Sequence, residues 1–232
     1  MSDSLILPKP PGDLPLPFLI VCEGYGDAVF IDKLLRANGI RNCGVGCPNR
    51  DTCEGLPGKT VLQQYLGALK FIYRKQNPPT LRGLLVVVDA DKKPEGQFVD
   101  ARGALEFAEF SPLPEEAFTV YEDISNNFRV SVFIMPGQDR AGTLEHIFLD
   151  AALDGKPELQ DCLDKFAECS KVIPTGTANQ QAKMRMSVLI GATCKENPWA
   201  PPSMFWHDKG NPVPIASSAF SHIVGFIREF AA

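Results

Sequence analysis

Five carboxylates stand at positions where they could do chemistry together: Glu23, Asp27, Asp89, Asp91 and Glu145. Glu23 directly follows the apolar run Phe18-Leu19-Ile20-Val21-Cys22, with Asp27 four residues on. Asp89 and Asp91 follow Leu84-Leu85-Val86-Val87-Val88, and Glu145 opens the helical stretch after the apolar run 129–135. An extended Asp89-Ala90-Asp91 segment would aim both of its carboxylates to one side. An all-oxygen ligand set suits a hard divalent cation, and Mg²⁺ takes one or two carboxylates together with water and substrate phosphate. Two such ions about 4 Å apart clamp the attacking and leaving oxygens of a phosphoryl transfer. A single carboxylate after a strand is ordinarily a cap or a solvated loop group, and Asp27 could equally cap the helix that follows it. Convergence shifts that balance, because four or five acids delivered to one edge repel unless a cation lies between them.

The elements around these residues are those of a parallel α/β sheet. Unbroken apolar runs at 18–22 and 84–88 have the pattern of strands buried on both faces, 129–135 reads as another apolar strand, and 40–46 as a weaker one. Helical periodicity covers 28–38, 59–76, 98–110 and 143–153, with Gly39 and Asn77-Pro78-Pro79 as stops. Alternating strands and helices predict a mostly parallel sheet with right-handed crossovers. Ligand sites in such sheets lie at the carboxyl ends of the strands, where the acids fall. Residues 1–17, with prolines at 8, 10, 11, 15 and 17, read as an extended arm. Residues 18–155 form the α/β domain. Beyond it, three helices (157–169, 178–195 and 216–230) and a proline-rich loop form a C-terminal extension, 156–232, packed on the sheet.

The 232 residues are 44% hydrophobic and 22% charged, the profile of a globular protein that can bury a core. A formal charge of −5 argues against tight, sequence-independent nucleic-acid binding through phosphate neutralisation alone. Seven cysteines, an odd count with no apolar leader before them, predict free thiols in a reducing cytoplasm. No stretch is long and apolar enough for a membrane span.

Val21-Cys22-Glu23-Gly24-Tyr25-Gly26-Asp27 and Val86-Val87-Val88-Asp89-Ala90-Asp91 resemble the two signatures of the Toprim family, a Glu-Gly pair followed shortly by Asp and a later Asp-x-Asp, over about residues 18–150. The resemblance implies a Toprim-like (Rossmann-like) fold, with Glu23 as general acid/base or metal ligand and the Asp89/Asp91 pair holding Mg²⁺, for which Mn²⁺ could stand in. Gly142-Thr143-Leu144-Glu145 is similar to the OLD-type Toprim nucleases, where a small hydroxyl residue and a Glu complete a second metal position; Thr143 and Glu145 take those places here. These nucleases also carry a helical lysine that stabilises charge at the scissile phosphate, and Lys183 is the matching candidate. The implied activity is metal-dependent phosphodiester hydrolysis on nucleic acid, DNA ahead of RNA. The chain lacks the ATPase domain of full-length OLD proteins and resembles their small stand-alone relatives. That leaves open a catalytically weak binding module in a larger assembly, with a separate ATPase or other protein as partner.

Other signals are weaker. Cys53-Glu54-Gly55-Leu56-Pro57-Gly58-Lys59-Thr60 has Cys53 where a Walker A loop has its first glycine, so nucleotide binding is a minor alternative. Lys59, close to a helix start, could instead contact substrate phosphate. Cys43, Cys47 and Cys53 lack the spacing of a zinc knuckle, and His146, His207 and His222 form no triad pattern. Trp199, Phe205 and Trp206 could stack on bases but are better read as packing the C-terminal extension down.

Overall fold

The structure is a computed structural model and describes residues 6–7, 16–48, 58–75, 80–138, 140–170, 177–201, 204–207 and 210–232. Its centre is a six-stranded sheet. The strands are β1 (Ile6–Leu7), β2 (Phe18–Cys22), β3 (Cys43–Gly46), β4 (Gly83–Asp89), β5 (Tyr121–Asp123) and β6 (Phe128–Met135), ordered β1-β3-β2-β4-β6-β5. All neighbours pair parallel except β5, which lies antiparallel on the β6 edge. The α/β class and the mostly parallel, Rossmann-like sheet expected from the apolar runs are present.

Side-chain alternation along each strand divides the core into two layers. Phe18, Ile20 and Cys22 of β2, Leu85 and Val87 of β4, and Phe133 and Met135 of β6 face one side. They pack there with α1 (Tyr25–Ala37) and α4 (Leu144–Leu153). Leu19 and Val21, with Leu84, Val86 and Val88, face α2 (Gly58–Lys75) and α3 (Pro94–Phe107) on the other side. Burial on both faces is why these strands read as continuous apolar runs.

The C-terminal part contains α5 (Pro157–Cys169), α6 (Ala178–Thr193) and α7 (Ser221–Phe230). It adds to the first layer rather than building a core of its own. Met186, Leu189, Phe205, Phe220, Ile223 and Phe230 belong to the same buried cluster as Ile20 and Phe30. Phe148 of α4 meets Phe30, Phe205 and Trp206 at ring-centroid distances of 5.1, 5.5 and 5.4 Å. Phe230 meets Phe18 at 5.5 Å. Phe205 and Trp206 are thus packing groups. No helix among the described residues is long and apolar enough to cross a membrane.

The strand order determines where a ligand can enter. From β2 the chain crosses to β3 on one side through α1. It then returns past β2 to β4 on the other side through α2, which covers the opposite face. The reversal lies between β2 and β4, and sheets of this kind take their ligands at the strands' carboxyl ends at such a point. Glu23 and Asp89 are the residues at those two ends.

Candidate functional site

The register of the sheet sets the site's baseline. Cys22 pairs with Val87, and the Glu23 N–H continues the ladder by donating to Val87 O at 3.1 Å. Glu23 therefore leaves β2 beside Val88, one residue short of Asp89. Asp27 sits in the first turn of α1, and its Oδ2 accepts from the Gly24 N–H at 3.1 Å. The capping role anticipated for Asp27 is real, and it holds that carboxylate over the end of β2.

On the other side of β4, Asp89 is aligned with Met135, and the Ala90 N–H donates to Met135 O at 2.7 Å. Next, the loops after β4 and β6 are joined by a reciprocal backbone pair: Asp91 N–H to Gly142 O at 2.8 Å and Gly142 N–H to Asp91 O at 2.9 Å. This bridge brings the start of α4 to Asp89, whose Oδ1 accepts from the Leu144 N–H at 3.2 Å. The positive end of the helix thus faces the carboxylate. Thr143, the N-cap of α4, is buried and donates through its hydroxyl to Glu145 Oε2 at 2.6 Å. The Thr143 N–H donates to His146 Nδ1 at 3.0 Å. His146 is therefore a cap of α4.

The electrostatics of Asp89 show how the acids are assembled. Burial raises its pKa from 3.8 to about 9, and the charges of Asp27, Glu145, Glu23 and Asp91 add to the rise in that order. The other four acids picked out in the sequence therefore act on one buried carboxyl group, the fifth. Behind it, burial pushes the Cys22 thiol well up, with Asp27, Cys47 and Asp89 contributing. The pocket's inner wall is thus thiol and hydrocarbon, a low-dielectric backing that accounts for the desolvation.

Asp91 corrects the simple reading of the Asp-x-Asp spacing. The strand ends at Asp89, and Asp91 has φ +49°. The segment is therefore not extended there, and the two carboxylates do not project as a pair from one strand face. Asp91 is exposed and accepts from Gln97 Nε2 and Asn179 Nδ2, both at 3.2 Å. Its effect on Asp89 is the last of the four. The turn was not foreseeable from spacing, since Asp tolerates the left-handed region without any glycine to mark it.

Among the described residues, no three of His, Cys, Asp and Glu are gathered into a ready-made ion cage. Like charges in an apolar pocket separate and take nearby donors. Asp27, Asp89, Asp91 and Glu145 do so with Gly24 N–H, Leu144 N–H, the Gln97 and Asn179 amides, and the Thr143 hydroxyl. In donor chemistry the group fits a hard divalent cation: all oxygen and acidic in excess, with the pKa of its innermost member raised first by burial and then by its acidic neighbours.

Lys183 stands exposed on α6, one helical turn beyond Asn179, and its carbonyl accepts from the Ser187 hydroxyl at 2.9 Å. No contact between its ammonium and a carboxylate is present among the described residues. Lys59 lies in the first turn of α2; its side chain, Cys53 and most of the Walker-like loop lie outside the described residues. Cys43 and Cys47 are buried thiols, with Cys47 raised to about 11 by burial and by Asp27. His222 donates to Pro136 O at 2.9 Å, a structural contact at the end of β6. The residues not anticipated are Gln97 and Asn179, which hold Asp91, and Gly142, which forms the bridge. Only the fold brings them together.

Gly142 supports a direct test. Its φ of +142° is accessible to glycine, and a Cβ there would lie 2.9 Å from His146 Nδ1. Gly142→Ala is expected to destabilise the protein by about 2–4 kcal/mol. In thermal melts this would lower the Tm by roughly 5–15 °C. An unchanged Tm would mean that the bridge does not hold α4 in place.

A family model described as a protein of unknown function (DUF3226) matches residues 17–198. No curated protein and no solved structure matches the chain.

Proposed function

We propose, for a chain that belongs to the DUF3226 family, that the carboxylate crevice is a Toprim-type site for Mg²⁺-dependent hydrolysis of phosphodiester bonds in nucleic acid, DNA before RNA. One observation carries this reading. Glu23, Asp27, Asp91 and Glu145, from three separate loops, all bear on buried Asp89 at the point where strand order reverses.

In this reading Glu23, Asp89 and Asp91 hold one ion, and Glu145 with Thr143 and Asp27 complete the acidic shell. The bound ion supplies Lewis acidity and charge neutralisation at the phosphate. The chain's own contributions are distinct. Glu23, half-buried, would act as a ligand or as the base that accepts a proton from attacking water. The first turn of α4 fixes Asp89 through the Leu144 N–H. The Cys22 and Cys47 wall excludes water from the inner side. Lys183, on the α6 face that reaches Asp91, is the candidate for offsetting phosphate charge. A reducing cytoplasm belongs to the same reading, supported by the six described cysteines being thiols.

A second reading, a module that binds nucleic acid or a partner protein but cleaves weakly, is favoured by the absence of a preformed cage among the described residues. Incubation with plasmid, single-stranded DNA and RNA in Mg²⁺ or Mn²⁺ separates the two. Cleavage that falls at least about 100-fold in Glu23→Gln would support the nuclease. Equal cleavage by wild type and variant would reject it, and binding without cleavage would establish the module.

A further inference from the structure

An anionic substrate approaching five carboxylates needs a positive handhold, and the chain as a whole carries −5. One groove beside the site offers it. A cavity of ≈ 580 Å³ lies between the turn after β4 and the start of α6, lined by Asp91, Lys92, Lys93, Gln97, Thr177, Asn179 and Gln180 among the described residues. That volume is in the range of about 300–1,000 Å³ usual for ligand sites. Lys92 and Lys93 are exposed, and the one acid in the lining already accepts from Gln97 and Asn179.

Two helix starts add to the potential. Lys93 is the N-cap of the 14-residue α3 and Thr177 the N-cap of the 16-residue α6, so both positive ends open on this groove. Among the described residues the lining has ammonium, amide, hydroxyl and one carboxylate group and no aromatic ring. It therefore suits a sugar–phosphate backbone rather than a stacked base. Asp91 belongs both to the groove and to the acids around Asp89, so a phosphate gripped here is continuous with one at the carboxylate site.

We propose that the Lys92–Lys93 groove is a backbone subsite that grips a nucleic-acid phosphate flanking the one presented to the carboxylates, without reading sequence. This rests on the nucleic-acid reading above. The test compares wild type, the Lys92→Ala/Lys93→Ala variant and the Lys92→Arg/Lys93→Arg variant, all full-length and matched by thermal melts. The probes are a labelled 20-nucleotide single strand and its duplex. The Ala pair is expected to weaken binding about tenfold and to flatten the slope of log K against log salt by roughly 2, one unit per lost phosphate contact. In cleavage the effect should fall on KM, with kcat within about threefold. The Arg pair should retain binding, since phosphate contact needs charge rather than the lysine stem. Unchanged affinity and salt slope in the Ala pair, or an equal loss in the Arg pair, would overturn the groove. Lys-dependent binding by a wild-type protein that cuts nothing would uphold it while rejecting the nuclease. Cleavage that ignores both lysines would do the reverse.

Discussion

Replacing Asp89 by Asn should make the metal-free protein more stable at pH 8 while removing its response to Mg²⁺. Asp89 has a pKa of about 9 in the fold against 3.8 for the free group. The folded state therefore binds a proton that the unfolded chain has released, and stability falls as pH rises between those values. Asn cannot ionise, and its amide oxygen can still accept the Leu144 N–H that Asp89 now accepts at 3.2 Å. The expected gain at pH 8 is up to about 5 kcal/mol, roughly 10–20 °C in Tm, shrinking toward zero near pH 4. In the same melts, millimolar Mg²⁺ should raise the Tm of wild type and leave the variant unmoved. A variant less stable than wild type at pH 8 would mean that Asp89 is ionised and compensated in the fold, contrary to the electrostatics described above.

The same proton links metal affinity to pH. An ion that takes Asp89 as a ligand must displace its proton, so the apparent Mg²⁺ affinity should rise nearly tenfold per pH unit below 9 and then level off. Between pH 6 and pH 8 the expected change is about 100-fold. Calorimetric titration in buffers of different ionisation enthalpy should count close to one proton released per ion bound. A dissociation constant flat across that interval would remove Asp89 from the ligand set. Glu23→Gln should weaken the ion and, because the Glu23 charge helps hold the Asp89 pKa up, move the levelling-off to lower pH while keeping the slope below it.

Much of the fold was legible because burial on both faces of a parallel sheet leaves a simple mark. β2 and the body of β4 are uninterrupted apolar runs and β6 is apolar but for Arg129 and Ser131, and the acids at their ends follow from strand polarity. The two edge strands left no such mark. β1 has only two residues, and β5, Tyr121-Glu122-Asp123, is polar and incompletely buried because it lies on an antiparallel edge. In the site, Glu23 and Asp89 could be placed by position, and Asp27 by its closeness to Glu23. The turn at Asp91 could not, since a positive φ at Asp has no sequence signature of its own. Gln97 and Asn179 are 82 residues apart in the chain and meet only at Asp91. The bridge at Gly142 likewise depends on two loops meeting in space.

That bridge has a mechanical consequence. With reciprocal N–H···O bonds between Asp91 and Gly142, the segments following β4 and β6 behave as one yoked part rather than two independent arms. On the proposed reading, a strand held at Lys92 and Lys93 would be coupled to Thr143 and Glu145 through these two hydrogen bonds. Gripping the backbone and setting the acidic shell would thereby be geared together.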